Sequence, residues 1–248
     1  MWSDVAYLRD FYETTLGQMA IRVIRRRIRE LWPDLRGQRV LGIGYATPYL
    51  RGFRNEAERV LAVMPAAQGV LRWPGEGPGR VALADEAELP FADNSIDRVI
   101  LIHALEASEQ RRQMLREIWR ILPGDGRLLA IVPNRRGIWA RLERTPFGYG
   151  HPFTFSQLSR LLRENMFNPV RSSAALFVPP SASRMAIAAA PAWEKLGNSW
   201  FQTFAGVVMI EAAKEIYAVS PVRAKPVRRP IFAPAPGGAI PARGRSGS

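Results

Sequence analysis

The chain has no cysteine among its 248 residues and only two histidines. The absence of cysteine excludes disulfide bonds, thiolate metal ligands and cysteine nucleophiles. The histidines, His103 and His151, stand far apart in the chain, so no metal site is predicted. No uncharged apolar run reaches the roughly 18 residues of a membrane-spanning helix, and Met1-Trp2-Ser3-Asp4 does not resemble the start of a signal peptide. We therefore expect a cytoplasmic protein.

Lysine is also scarce, because arginine supplies 32 of the 35 basic residues behind a formal net charge of +13. Six basic residues fall in residues 221–248, which hold no acid. Residues 220–248 are rich in Pro, Gly, Ala, Ser and Arg and bury too little apolar surface to fold, so a disordered tail is predicted. A basic balance attracts nucleic acid or anionic lipid, although a GC-rich genome would produce the same composition without such a partner.

A helix is predicted over residues 4–31, within an N-terminal segment (residues 1–35) that covers the main domain. Apolar residues recur on one helix face and arginines lie on the opposite one: Ile21, Ile24, Ile28 and Leu31 against Arg22, Arg25, Arg26 and Arg29. Two interpretations of the basic stretch 21–29 stay open. It is a solvated helix face, or together with the tail 221–248 it makes a weak contact with an anionic membrane or nucleic acid.

Short apolar segments alternate with helical ones over residues 36–219, which favours an α/β domain with helices on both faces of a parallel sheet. The seven predicted strands are Arg39–Ile43, Val60–Met64, Val81–Ala84, Arg98–His103, Leu128–Val132, Val170–Val178 and Gly206–Ala213. Helices are predicted at Pro48–Phe53, at Glu109–Leu122 and from Thr154 or Ser156 to Glu164. Two insertions are expected, residues 134–153 and 179–204, and the second is expected to be helical and broken at Pro191 and Gly197.

One long stretch, residues 84–134, has a recognisable order of features. An acidic loop is followed by Leu89-Pro90-Phe91, a turn, and a strand that begins at Ile96-Asp97. A charged helix then leads to Leu122-Pro123-Gly124-Asp125-Gly126-Arg127, a second strand and Asn134. This order resembles the second half of a class I S-adenosylmethionine-dependent methyltransferase domain of the small-molecule type 11 family. The resemblance implies a Rossmann-like sheet of seven strands with an antiparallel last strand, and S-adenosylmethionine as the cofactor.

The resemblance places the cofactor beside the loop after the first strand, where this chain departs from the family pattern. Gly42 stands where an acid is usual, and Gly44 matches a family glycine. Ala46 replaces the middle glycine and Pro48 the last one, with Tyr45 between the matched positions. Glycine in such a loop lets the backbone turn sharply and approach a ligand, and proline is tolerated in the first turn of a helix.

The other expected cofactor contacts are also implied by the resemblance. Met64 ends strand two where the family has an acid for the ribose hydroxyls, while Asp85 and Glu86 keep the acidic position that faces the adenine amino group. A solvated loop acid and plain core packing stay open as alternatives for Asp85 and Leu89. The predicted cofactor-binding residues are Gly42, Gly44, Tyr45, Ala46, Met64, Asp85, Glu86, Leu89 and His103.

The two histidines are the candidates for catalysis. His103 ends strand four, next to the donor methyl group in the family, where it would orient or deprotonate an acceptor. His151 lies in a glycine-aromatic loop, residues 147–153, that would fold over the cleft as a lid. Glu106 is a weaker third candidate. A packing role for His103 and a plain surface loop around His151 stay open as alternatives.

Two functions are therefore compatible with the sequence. The first is an S-adenosylmethionine-dependent methyltransferase that acts on a small-molecule or lipid-like acceptor, a reaction that depends mostly on proximity and orientation. The second is a catalytically inactive methyltransferase-like scaffold that contacts RNA or an anionic membrane, which the departures at Gly42, Pro48 and Met64 favour. A different Rossmann-like enzyme is a weaker third. Neither the acceptor nor the oligomeric state follows from the sequence.

Overall fold

The computed structural model describes residues 4–181, 183–200 and 204–216, with the backbone alone at 198–200. These residues lie in the first of the two units into which the chain divides, residues 1–217. The predicted disordered tail, residues 220–248, lies outside the described residues, as do residues 182 and 201–203 of the predicted insertion 179–204. The domain boundaries therefore stay predictions.

Two helices open the described chain, α1 (Val5–Glu13) and α2 (Thr15–Leu31). The prediction of one helix over residues 4–31 was wrong at Thr14, which is extended (φ −70°, ψ 159°). Its hydroxyl accepts a hydrogen bond from the Gly17 backbone N–H at 3.0 Å and so caps the start of α2. A Cβ on Gly17 would lie 2.2 Å from the carbonyl oxygen of Phe11. The chain therefore bends tightly here, and α1 leaves the line of α2.

The described residues form seven strands: β1 (Arg39–Gly44), β2 (Arg59–Pro65), β3 (Val81–Ala84), β4 (Arg98–Ile102), β5 (Arg127–Pro133), β6 (Phe167–Ala175) and β7 (Val207–Lys214). They make one sheet in the order β3-β2-β1-β4-β5-β7-β6. The first five strands are parallel to one another, and β7 runs antiparallel to both β5 and β6. This confirms the predicted Rossmann-like sheet with an antiparallel last strand.

Helices cover both faces of this sheet, because residues of one strand alternate between two apolar clusters. The helices that follow α2 in the described chain are α3 (Thr47–Leu50), α4 (Arg111–Ile121), α5 (Phe155–Glu164), α6 (Arg184–Ala188) and α7 (Ala190–Trp200). Val40 of β1 packs with α1, α2 and the short helix α3, whereas Leu41 packs with α4 and α5 on the other face.

Three predicted boundaries differ from the structure for identifiable backbone reasons. Strand β4 ends at Ile102 because His103 takes a left-handed conformation (φ 53°), and β6 ends at Ala175 because Leu176 does the same (φ 63°). The break predicted at Pro191 lies two residues earlier, at Ala189 between α6 and α7, because Pro191 lies in the first turn of α7, where a missing N–H costs little.

The predicted break at Gly197 was wrong. Gly197 lies inside α7, and a Cβ there would come within 2.2 Å of the Phe177 ring. Glycine is required at this position because α7 packs closely against Phe177, and not because the helix breaks there. The predicted irregular insertion is helical over Arg184–Ala188 and Ala190–Trp200.

A buried carboxylate fixes α2 to the antiparallel edge of the sheet. Glu211 on β7 accepts a hydrogen bond from the indole N–H of Trp32, at the end of α2, at 2.9 Å. Its other oxygen accepts one from Arg171 of β6 at 2.5 Å. Among the described residues, none of the helices combines the length and the apolar character that crossing a bilayer requires.

Candidate active site at the carboxyl ends of the parallel strands

The order of strands places a crevice between the carboxyl ends of β1 and β4. The chain turns in opposite directions from these two neighbouring strands, and open α/β sheets bind ligands at such a point. Gly44 and Ile102, the last residues of the two strands, lie opposite each other in the parallel register. The residues that follow them, Tyr45 and His103, therefore flank the crevice.

Both glycines of the first loop are required by the packing of the protein itself. Gly44 has φ 86°, and a Cβ there would lie 2.2 Å from the carbonyl oxygen of Ile102. A Cβ on Gly42 would lie 2.5 Å from that of Ala46 and 2.7 Å from a methyl group of Leu50 in α3. The site where the family usually has an acid is therefore too crowded for any side chain.

The end of β2 is apolar and closed. Met64 is 1% exposed, and its sulfur lies 3.4 Å from the backbone N–H of Leu71, which donates to it. The chain continues as a 3₁₀ turn over Ala66–Gln68, and the side-chain amide of Gln68 donates to the carbonyl oxygen of His103. Gln68 is a site residue that the sequence reasoning missed; its position just after β2 was the available signal.

The predicted residues after β3 begin beside the end of β2, because Ala84 pairs with Pro65 in the parallel register. Asp85 is exposed and accepts a hydrogen bond from the Ala87 backbone N–H within its own turn at 2.8 Å. Glu86 is half-buried and accepts one from the Ser108 hydroxyl. Leu89 is buried in the apolar cluster of the opposite sheet face, away from the cluster that holds Tyr45 and Met64. Their roles as cofactor contacts stay predictions.

His103 is held in its left-handed conformation by a buried hydrogen-bond network. The Tyr12 hydroxyl of α1 lies 2.6 Å from His103 Nε2, and Tyr49 of α3 donates to the Tyr12 oxygen at 2.7 Å. Because Tyr12 accepts from Tyr49, its own proton is available to Nε2, which leaves the ring proton of a neutral His103 on Nδ1. That nitrogen lies 3.4 Å from Oε1 of Glu106. A left-handed non-glycine residue at a crevice often marks a functional position.

Burial sets the protonation of the phenols in this network. Burial raises the pKa of Tyr45 to about 12, and it raises the pKa values of Tyr12 and Tyr49 as well. All three therefore stay protonated at neutral pH, and Tyr12 and Tyr49 act as hydrogen-bond donors in the network. The structure thus brings His103 and Glu106 together with two tyrosines that no local sequence pattern indicated.

Aromatic residues of α1 fill the crevice itself. The Tyr12 ring stacks on that of Tyr45, with ring centroids 5.6 Å apart and an angle of 13° between the planes. Phe11 packs edge-on against Tyr12 at 5.1 Å, and Phe147 lies 5.1 Å from the His103 ring. Tyr12 thus bridges the ends of β1 and β4 and closes the space between them.

The crevice in this conformation does not fit S-adenosylmethionine. Met64 offers no carboxylate for a ribose, the site of Gly42 has no room for one, and Tyr12 occupies the gap between the strands. Of the predicted contacts, Asp85 offers an exposed carboxylate. A cofactor of that size would therefore require α1 to move away from the sheet.

A cavity of about 260 Å³ remains beneath α1, between the end of β4 and the loop that holds Tyr149 and Gly150. The loop is fixed over Glu106, whose carbonyl oxygen accepts a hydrogen bond from the His151 backbone N–H at 2.8 Å. The side chain of His151 is exposed, so its predicted catalytic role receives no support from position and stays a prediction. The role of its loop as a lid also stays a prediction.

The chain resembles known proteins in both sequence and fold. Residues 40–130 match the family model of a methyltransferase domain, type 11. The demethylmenaquinone methyltransferase of Corynebacterium efficiens is 30% identical over 128 residues, which is 52% of this chain and 56% of that protein. That of Corynebacterium glutamicum is 28% identical over the same shares. The chain thus spans little more than half the length of these curated relatives.

Solved structures agree on the fold. An S-adenosylmethionine-dependent methyltransferase from Thermotoga maritima superposes with a TM-score of 0.59 at 17% identity and covers 85% of this chain and 96% of its own. A Burkholderia thailandensis N-methyltransferase with bound S-adenosylhomocysteine gives a TM-score of 0.54 at 19% identity, covering 85% of each chain. At these identities the likeness concerns the fold alone.

Proposed function

We propose that this chain, whose residues 40–130 match the methyltransferase domain family model, binds S-adenosylmethionine and methylates a small-molecule acceptor. The observation that carries the proposal is the crevice between β1 and β4, with the Gly44 turn on one side and His103 on the other. The name of the relatives makes a demethylmenaquinone the first acceptor to test.

This proposal requires α1 to leave the crevice before the cofactor enters. The extended residue Thr14 separates α1 from α2, so α1 can swing about that point while α2 stays fixed through Trp32 and Glu211. The stack of Tyr12 on Tyr45 has to break in this movement. Aromatic pairs of this kind contribute about 0.5–1.5 kcal/mol, so removing the Tyr12 ring should tighten cofactor binding about three- to tenfold.

The test is a calorimetric titration of the full chain with S-adenosylmethionine, repeated with S-adenosylhomocysteine. We expect saturable one-to-one binding, tighter in Tyr12→Ala than in the wild type. Arg9→Ala is the matched control, because Arg9 is an exposed residue of the same helix that pairs with Asp10; its affinity should equal that of the wild type. The absence of binding to folded wild type and folded Tyr12→Ala at millimolar ligand would overturn the proposal.

A catalytically inactive binding protein is the second candidate function. The observation that favours it is the closed crevice, with Met64 buried and Tyr12 stacked on Tyr45. A contact of stretch 21–29 with RNA or an anionic membrane stays a prediction. Part of its charge is already paired, because Arg27 lies 2.7 Å from Glu30 and Arg29 lies 2.8 Å from Glu56. This candidate gains support only if the titration above fails.

A further inference from the structure

The floor of the cavity beneath α1 carries buried acceptors without donors. Glu106 is 3% exposed, and within the described part of the chain neither of its carboxylate oxygens makes a hydrogen bond. Gln68 is 5% exposed, and its side-chain oxygen also lacks a hydrogen bond. The amide nitrogen of the same side chain donates to the carbonyl oxygen of His103. Buried polar groups are normally paired, so three acceptors around one cavity indicate a ligand that brings hydrogen-bond donors.

The charge of that ligand follows from the residues around the cavity. A buried carboxylate needs a positive partner or strong donors. None of the described residues that line the cavity is lysine or arginine. The nearest basic group is His103, whose Nε2 is engaged by Tyr12 and whose Nδ1 lies 3.4 Å from Glu106. With His103 neutral, the positive charge comes from the ligand.

The size and the walls of the cavity limit the rest of the ligand. Its volume of about 260 Å³ is below the roughly 300 Å³ at which pockets for drug-sized molecules begin. Leu8, Ala107 and Pro146 supply apolar wall. A metal ion is disfavoured, because no group of three or more candidate metal ligands occurs among the described residues. A primary ammonium group brings three N–H donors, which equals the number of buried acceptors at this cavity that lack a hydrogen bond.

We infer that this cavity binds a small primary ammonium ion with a short apolar chain, whose ammonium group lies on Glu106 and Gln68. The binding itself does not depend on the proposed methyl transfer. Its interpretation as an acceptor subsite does rest on the proposed function, because the cavity adjoins the end of β4 beside the crevice. Under that interpretation the acceptor class is a small amine, which would replace the demethylmenaquinone that the relatives' name suggests.

The experiment is a titration of the full chain with n-butylammonium in the absence of any cofactor, monitored by calorimetry. The matched ligand is n-butanol, which has the same chain and no charge. We expect saturable binding of the amine and at least tenfold weaker binding of the alcohol, because a charge-assisted hydrogen bond is lost. Equal affinities for the two ligands would overturn the inference, and so would a lack of saturable amine binding, which would leave only water in the cavity.

Two variants locate the binding. Glu106→Gln keeps the shape of the side chain and removes its charge, so amine affinity should fall about tenfold or more. Glu109→Gln removes an exposed carboxylate three positions away and should leave the affinity unchanged. Amine binding that survives in Glu106→Gln would contradict the assignment. Amine binding without S-adenosylmethionine binding would uphold this inference and overturn the proposed function, and the reverse result would do the opposite.

Discussion

His103 lies at the crevice, close to the position that the sequence predicted for it. The sequence placed it at the end of strand four as a candidate base, and the structure places it at the crevice, although one residue beyond the strand. Its Nε2 faces Tyr12 and its Nδ1 faces Glu106. Tyr12 on α1 occupies Nε2, so Nδ1 is the ring nitrogen that can reach a ligand. Tyr12 lies 91 positions from His103 in the chain.

The Tyr12 hydroxyl should contribute measurably to stability. Tyr12→Phe keeps the ring on Tyr45 but removes the hydrogen-bond partner of both His103 and Tyr49. Leaving buried polar groups unpaired costs about 1–3 kcal/mol, so the free energy of unfolding should fall by that amount in a urea titration. Tyr45→Phe is the control, because the Tyr45 hydroxyl makes no hydrogen bond among the described residues. The free energy of unfolding of this variant should change little. Equal losses in the two variants would contradict this account.

The ion pair between Asp97 and Arg39 should make stability depend on pH. Asp97 accepts two hydrogen bonds from the Arg39 guanidinium, at 2.9 and 3.0 Å, and one from its backbone N–H at 2.7 Å. The hydrogen bonds from the Arg39 side chain hold the pKa of Asp97 below its usual value. A lowered folded pKa contributes stability above the unfolded value of about 3.9, and that contribution is lost as the pH falls through the folded pKa.

The measurement for Asp97 is the free energy of unfolding at pH 7 and at pH 3. Asp97→Asn should lose about 1 kcal/mol at pH 7, a modest value because the pair is partly exposed and screened by solvent. The variant should then lose less than the wild type on going to pH 3. Parallel pH profiles for the two proteins would show that Asp97 makes no such contribution.

At the scale of elements, the bend between α1 and α2 decides what covers the crevice. The apolar face of residues 21–31 follows helical spacing and is buried, with Ile24 and Ile28 fully inaccessible. Thr14 and Gly17 are residue types that favour helix caps and turns, but they do not by themselves show which way the chain bends. Only the tight approach of Gly17 to Phe11 shows why α1 turns away from α2 and lies across the strand ends.

Gly17→Ala tests this bend. The added Cβ would meet the Phe11 carbonyl oxygen at 2.2 Å and the Tyr12 Cα at 2.6 Å, and both are backbone atoms that cannot rotate aside. We expect a loss of about 1–3 kcal/mol in the free energy of unfolding, as for other overpacked sites. Gly79→Ala is the control, because nothing lies within 4 Å of its added Cβ. Equal stability of both variants would mean that the bend tolerates a side chain.

At the scale of the whole molecule, the basic tail is the longest segment that lies outside the described residues. Residues 221–248 carry six basic residues and no acid. If the tail is disordered, a chain that ends at residue 220 should melt within about 1–2 °C of the full chain, since a disordered segment buries little surface. A large fall in melting temperature would show that the tail packs on the domain.

The sequence alone predicted most of the framework. Apolar segments and turn residues located all seven strands, and the stretch from Asp85 to Asn134 indicated the family and with it the antiparallel last strand. Gly44 and His103 were placed at the correct edge of the sheet, because parallel strands share their carboxyl ends. The strand segments and turns can be predicted from a single sequence because they depend on neighbouring residues or on a short repeat of apolar positions.

Only the tertiary structure decided what the crevice contains. Tyr12 and Gln68 lie 91 and 35 positions from His103, and both contact it through hydrogen bonds. Periodicity reports which face of a helix is apolar, but not which distant surface that face covers. The position of α1 depends on the packing free energy of the whole domain. Packing places α1 over the strand ends, and the buried carboxylate of Glu106 beneath α1 makes no hydrogen bond.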